Sequence, residues 1–336
     1  MANNSSTFNF KKLPLGFLLA LLLIASFELA NALLDNYFYQ PPYDGLRIKF
    51  KNELSMNSKN KYDFLILGDC YPLIGIIPKI IQDRTGLTGF NFSTHVVYSI
   101  FSSYCYFKNY LAHCAKKPKY VLVSYLPVSC ALTHQDIEKD SLGVFYDFKD
   151  HNEVTFFKEF GLKAFPLMFS SLKHAYLYKD PDNILPFVQS IPDNRTKADL
   201  FMQKVLTDNG RDNLVEDNIY LTFKDNEDYK PFEVSPFFDK YLRAILDLAR
   251  TNHIQVIYVV PSHAAEVYKK QKAWGNTDKY LQYLANLQKE NPNLVILNPQ
   301  NDFDQTFSYS GEFHLNFWGA MNLSSDLARE LSVLER

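Results

Sequence analysis

The chain has 336 residues, 35 basic against 37 acidic, a formal net charge of -2 and 15% aromatic residues. That length is enough for one large domain or one domain with an insertion. The balanced charge gives no basic footprint for a nucleic-acid partner.

In chain order, Met1 to Lys12 is a polar tail that closes on Lys11 and Lys12, and Leu13 to Leu34 is apolar apart from Glu28 and a few small residues. A stretch of that length crosses a bilayer core of about 30 Å as a helix. The lysines before it place the N-terminus in the cytoplasm and the main domain outside. The expectation is a single-pass membrane anchor over 13–34 after a cytoplasmic tail at 1–12. The competing reading is a cleaved signal peptide, for which Ala30-Asn31-Ala32 fits the cleavage pattern. Residues 35–61, polar and containing Pro41-Pro42, read as a stalk.

The domain itself is expected over 62–335. Phe64-Leu65-Ile66-Leu67 is a continuous apolar run, the pattern of a strand buried on both faces of a parallel sheet. It breaks at Gly68-Asp69 and leads at once into a helical pattern, which holds Cys70 at the C-terminal edge of the sheet, where open α/β sheets bind ligands. Further strands are expected near 88–93, 120–126, 254–260 and 294–297. The intervening helices run from about Ser93 or Thr94 to Leu111, Phe237 to Arg250, Thr277 to Lys289 and Trp318 to Leu334. Strands alternating with helices predict an α/β fold with a parallel sheet covered on both faces, three layers in all. Between about 129 and 235 the rhythm stops, and this stretch reads as an inserted cap.

Three blocks carry a family resemblance. Leu67-Gly68-Asp69-Cys70, Phe90-Asn91-Phe92-Ser93 and Phe313-His314-Leu315-Asn316-Phe317-Trp318-Gly319-Ala320 resemble, in that order, motifs of the SGNH (GDSL-type) hydrolase superfamily. With the apolar N-terminal stretch and the long insertion, the arrangement looks most like its cell-envelope branch. That branch includes D-alanine transfer proteins and alginate O-acetyltransferases. The resemblance implies an acyl esterase or O-acyltransferase acting on an envelope polysaccharide or glycoconjugate. Cys70 would stand in the nucleophile position that family members fill with serine, and His314 would be the base. Asn91 with backbone amides would hold the oxyanion, and Asp69 would brace the turn. His95, His263 and Glu312 are candidates to line the cleft.

The departures are specific. Gly311 stands where the family carries an acid three residues before the histidine, and the nearest acids are Glu312, Asp302 and Asp304. A thiol beside a histidine needs less help than a hydroxyl, so a thiolate–imidazolium pair could work without an acid. The alternative is a protein that kept the fold, lost the reaction, and binds a glycan or an envelope partner protein. No zinc spacing and no cofactor motif occurs, so neither a metal nor a cofactor is expected. Cys105 and Cys114, nine apart on one expected helix, stand roughly 13 Å from each other and should not pair. A Cys70–Cys130 bridge stays open, because both residues follow the ends of expected neighbouring strands.

Overall fold

The computed structural model describes residues 43–57, 59–95, 99–133, 206–211, 231–299, 308–310 and 314–336, with isolated positions at 16, 17, 19, 22, 23, 26 and 203. The elements in chain order are α1 (Tyr43–Ser55), β1 (Phe64–Gly68), α2 (Cys70–Gly75), α3 (Pro78–Thr85), β2 (Gly89–Asn91) and α4 (Ser99–His113). They continue with β3 (Tyr120–Ser124), α5 (Pro127–Cys130), α6 (Pro236–Thr251), β4 (Gln255–Val259), α7 (Ala265–Ala273), α8 (Asn276–Glu290), β5 (Leu294–Leu297) and α9 (Phe317–Leu334). All four strand pairings are parallel, in the order β2-β1-β3-β4-β5. The protein is therefore α/β, with β1 and β3 adjacent at the point where the strand order reverses. Crevices at such points, outside the C-terminal strand ends, are where these sheets bind ligands.

The apolar runs explain the layers. Side chains alternate along a strand, so Leu65, Leu67, Val121, Val123, Val256 and Tyr258 pack on one face with α1, α4, α6 and α8. Phe64, Ile66, Tyr120, Leu122, Ile257 and Val259 pack on the other with α2, α3, α7 and α9. Each fully buried Leu, Ile or Phe contributes roughly 1.5–3 kcal/mol. Much of the aromatic content goes into the first face: Phe90 meets Phe92 at 4.8 Å between ring centres, and Phe101 meets Tyr241 edge-on at 5.1 Å. Helix α6 begins where Ser235 accepts from Phe238 N at 3.0 Å with Pro236 in the first turn.

Two boundaries need correction or refinement. The expected stalk contains α1, which belongs to the domain: Arg47, Ile48, Lys51, Asn52 and Ser55 are all buried. Tyr106 donates to Ile48 O at 3.2 Å and Asn109 Nδ2 to Asn52 Oδ1 at 3.0 Å. The buried stripe of α1 lies at helical spacing but is mostly polar, so it carries no apolar periodicity to read. The insertion leaves and returns at one place, with Ser235 N donating to Cys130 O at 2.9 Å. Its bulk lies outside the described residues. Its segment 206–211 comes back to the sheet edge, where Asn91 N donates to Asn209 O at 2.8 Å.

Among the described residues no helix is long and apolar enough to cross a membrane. The expected anchor and tail lie outside the described residues, apart from the isolated positions. Of these, Gly16, Phe17, Leu19, Leu22, Leu23 and Ser26 are helical, and Phe17, Leu19, Leu22 and Leu23 are exposed.

Candidate active site

The turn between β1 and α2 is held by close packing and by one carboxylate. A Cβ on Gly68 would stand 2.0 Å from Ser124 O, so only glycine lets β1 end this close to β3. Asp69 is fully buried and caps α2, accepting from Tyr71 N at 2.9 Å through Oδ1. Its Oδ2 accepts from Leu126 N at 2.6 Å and from the Ser129 hydroxyl at 2.5 Å. One side chain thus ties the turn after β1 to the turn after β3. Burial pushes the Asp69 carboxyl up to about 6, against the pull of these three donors.

Cys70 follows, 6% exposed. His314 Nε2 lies 3.2 Å from its sulfur, although 244 residues separate them. What sets that distance is the local structure of the terminal block. Tyr309 and Leu315 form an antiparallel bridge, and Ser310 N donates to His314 O at 2.9 Å. Leu315 is buried in the second core face, and Asn316 caps α9 by accepting from Gly319 N at 3.0 Å. Gly319 is needed because a Cβ there would meet Ser308 O at 2.2 Å and Leu315 Cδ2 at 2.9 Å. Gly319→Ala should therefore destabilise the protein by about 1–3 kcal/mol in denaturant unfolding, as overpacking does. It should also lengthen the Cys70–His314 contact, and an unchanged unfolding midpoint would contradict this packing.

The electrostatics correct one expectation. Burial, with the Asp69 charge second, pushes the Cys70 thiol well above its ordinary value. Burial, with the His95 charge second, pulls the His314 imidazole below its ordinary value. The resting pair is a neutral thiol on a neutral imidazole, not the thiolate–imidazolium pair that adjacency alone suggested, because desolvation disfavours both charges. Among the described residues no carboxylate reaches the other ring nitrogen of His314. Gly311, Glu312, Asp302 and Asp304 lie outside the described residues.

Asn91 is also reassigned. Its Nδ2 donates to Pro72 O at 2.8 Å and to Ile76 O at 3.4 Å, and its Oδ1 accepts from Ser93 N at 3.0 Å. Fully buried and so committed, it braces the end of α2 and has no donor left for an oxyanion. His95 stands half-buried in the loop after β2, on the His314 side. His263, after β4, is buried with Nδ1 3.1 Å from Pro261 O. It lines a separate cavity of about 20 Å³ with Pro127, Tyr268, Asn276 and Tyr280, which neither Cys70 nor His314 enters. That is room for a single water. All four cysteines are free thiols. The Cys70–Cys130 bridge is not formed: Cys130 Sγ lies 3.7 Å from Leu126 O, in the core below the turn. Among the described residues no group of three or more His, Cys, Asp and Glu could hold a metal ion.

Sequence reasoning missed three supports of the site. Ser129 holds Asp69. Lys51, fully buried, donates to Ser93 O at 2.7 Å and Gly210 O at 2.9 Å. Arg211 donates from Nε to Ile74 O at 3.0 Å, at the end of α2. The two cations fasten segment 206–211 and α1 to the site, and no local pattern announces a polar contact across so many residues.

Two buried groups make stability depend on pH in opposite senses. Burial holds His263 at about 4, so its contribution is present above its unfolded value near 6.5 and is lost as pH falls toward 4. Asp69 is raised, so its contribution is present below 3.8 and lost as pH rises through about 6. His263→Gln should remove the first term. The stability difference between wild type and variant should then shrink by roughly 3 kcal/mol from pH 6.5 to 4, read from urea unfolding. A difference independent of pH would contradict a buried neutral His263.

No family model matches this chain, and no curated protein is significantly similar to it in sequence. Fold and geometry define an α/β protein with a thiol–imidazole pair at the C-terminal edge of a five-stranded parallel sheet.

Proposed function

We propose that this is an SGNH-like acyl esterase or O-acyltransferase, anchored in a membrane by residues 13–34, whose domain acts outside the cytoplasm on an envelope polysaccharide or glycoconjugate. The observation that carries the reading is the 3.2 Å contact between His314 Nε2 and Cys70 Sγ. The order of the three blocks along the chain supports it. So does the packing role of Leu315, Asn316 and Gly319, which gives the terminal block a physical reason to take that form. The exposed apolar side chains of Phe17, Leu19, Leu22 and Leu23 on helical positions suit a segment that lies in lipid.

In this reading the neutral pair works by general-base catalysis. The Cys70 sulfur attacks an acyl carbonyl as its proton passes to His314 Nε2. Collapse of the tetrahedral adduct expels the alcohol oxygen, which takes that proton, and leaves a thioester on Cys70. Water, or a sugar hydroxyl deprotonated by His314, then attacks the thioester and restores the thiol.

A second reading, a binding protein of the same fold, is favoured by the committed amide of Asn91 and by the raised thiol. Release of acetate from an acetylated polysaccharide, or transfer of acetyl to one, separates the two. Turnover that depends on Cys70 supports the enzyme, and saturable glycan binding without turnover supports the binder. The anchor is tested by protease added to spheroplasts. It should digest the domain and spare an N-terminal tag, whereas a soluble protein starting at Leu33 would remove the anchor from the proposal.

A further inference from the structure

Exposed apolar side chains gather at the edge of the sheet that carries Cys70. Phe317 and Trp318, the first two residues of α9, are 39% and 57% exposed, and their rings meet edge-on at 5.8 Å. They follow directly on the block that holds His314 against Cys70. Val128, also exposed, belongs to α5, which starts just after β3 ends. Leu206, exposed as well, lies in the same short segment as Asn209, whose carbonyl accepts from Asn91 N at the end of β2. Single exposed apolar residues are ordinary, but paired aromatics with two aliphatic side chains on one edge mark a surface that meets something apolar. At the opposite edge α9 ends on exposed Val333 and Leu334, neither of them aromatic.

What this surface meets follows from where the chain enters the domain. Tyr106 donates to Ile48 O and Asn109 Nδ2 to Asn52 Oδ1, so α1 and α4 lie side by side and point the same way. Helix α4 follows the C-terminal end of β2 and leads to the start of β3, so it descends from the edge that holds Cys70. Helix α1 descends with it, and its first residue, Tyr43, is at that edge. Residues 35–42 join Tyr43 to the anchor at 13–34, and a link of that length reaches at most about 29 Å when fully extended. The opposite edge lies about the length of α9 away, roughly 27 Å at 1.5 Å per residue. Bringing that edge to the bilayer would take nearly the whole reach, whereas the Cys70 edge is at the end of the tether already.

Given the membrane anchor of the reading above, on which this rests, we propose that the edge carrying Cys70 and His314 lies on the lipid surface, with Phe317 and Trp318 in the headgroup region. Aromatic rings suit that depth, and the indole of Trp318 brings an apolar body with an N–H for the wet headgroup layer. A substrate then reaches Cys70 from the bilayer surface rather than from bulk solvent.

The test reconstitutes the full chain in vesicles of phosphatidylcholine and phosphatidylglycerol. Of the two tryptophans, Trp274→Phe leaves Trp318 as the reporter. Its fluorescence should lose most of its intensity when the lipids carry bromine at the top of their acyl chains, and little to acrylamide in the water. The difference between wild type and Trp318→Phe gives the same readout with Trp274 in place, in case Trp274→Phe does not fold. Strong quenching by acrylamide and none by brominated lipid, in protein that stays with the vesicles through a carbonate wash, overturns the orientation and leaves the anchor standing. Shielding from both quenchers means that the chain itself covers Trp318, and overturns it as well. Protein that leaves the vesicles in the wash overturns the anchor and this proposal with it.

Discussion

Cys70→Ala is expected to lower acyl turnover by at least about 1000-fold while the domain stays folded. The sulfur is the only atom the proposed reaction attaches to the acyl group, so nothing in the site replaces it. The side chain is small and its loss should cost only about 1 kcal/mol of stability. His314→Ala should be nearly as damaging, by about 100- to 10,000-fold, because burial keeps the thiol protonated and, among the described residues, no other base lies on its sulfur. Cys70→Ser keeps the geometry and still should fail. A hydroxyl is a weaker nucleophile, and among the described residues no carboxylate orients His314 to activate it. Steady-state hydrolysis with circular dichroism on each variant checks all three. A His314→Ala protein that keeps full turnover would contradict the general-base role.

Asp69→Ala should have the largest effect on stability, about 3–5 kcal/mol in urea unfolding. Three buried donors, Tyr71 N, Leu126 N and the Ser129 hydroxyl, would lose their acceptor at once. Each orphaned buried donor costs about 1–3 kcal/mol, and the sum is partly offset because a desolvated carboxylate is also removed. Asp69→Asn tests the charge separately. One amide oxygen can still serve Leu126 N and Ser129, but the NH₂ then faces Tyr71 N, donor against donor. Its loss should be smaller yet real, and the first turn of α2, which carries Cys70, should loosen. A loss below about 1 kcal/mol for Asp69→Ala would mean that the two turns are held together by something other than this carboxylate.

What the sequence shows and hides follows from range. Phe64–Leu67 and Val121–Val123 read as buried strands because every residue is apolar, a signal contained in three or four positions. Helix α1 could not be read as part of the domain, since its buried stripe of Arg47, Lys51, Asn52 and Ser55 looks like a solvated surface until its distant partners are known. The meeting of Cys70 and His314 was suggested by the order of blocks along the chain and by no property of either segment alone. Asn91 shows the limit most clearly. An amide has donors for an oxyanion or for a helix end, and only the fold decides that they go to Pro72 O. The ionisation of the pair is likewise a tertiary property, set by how deeply both groups are buried.

The central claim is that Cys70 takes up an acyl group with His314 as its base. It is tested most directly by mixing the protein with p-nitrophenyl acetate near pH 7, quenching in acid within seconds, and mapping the adduct by mass spectrometry. The account predicts one acetyl group on the peptide carrying Cys70, held as a hydroxylamine-sensitive thioester, absent in Cys70→Ala and formed far more slowly in His314→Ala. Acetyl groups spread over surface lysines, with Cys70 unmodified at every time point, would contradict it.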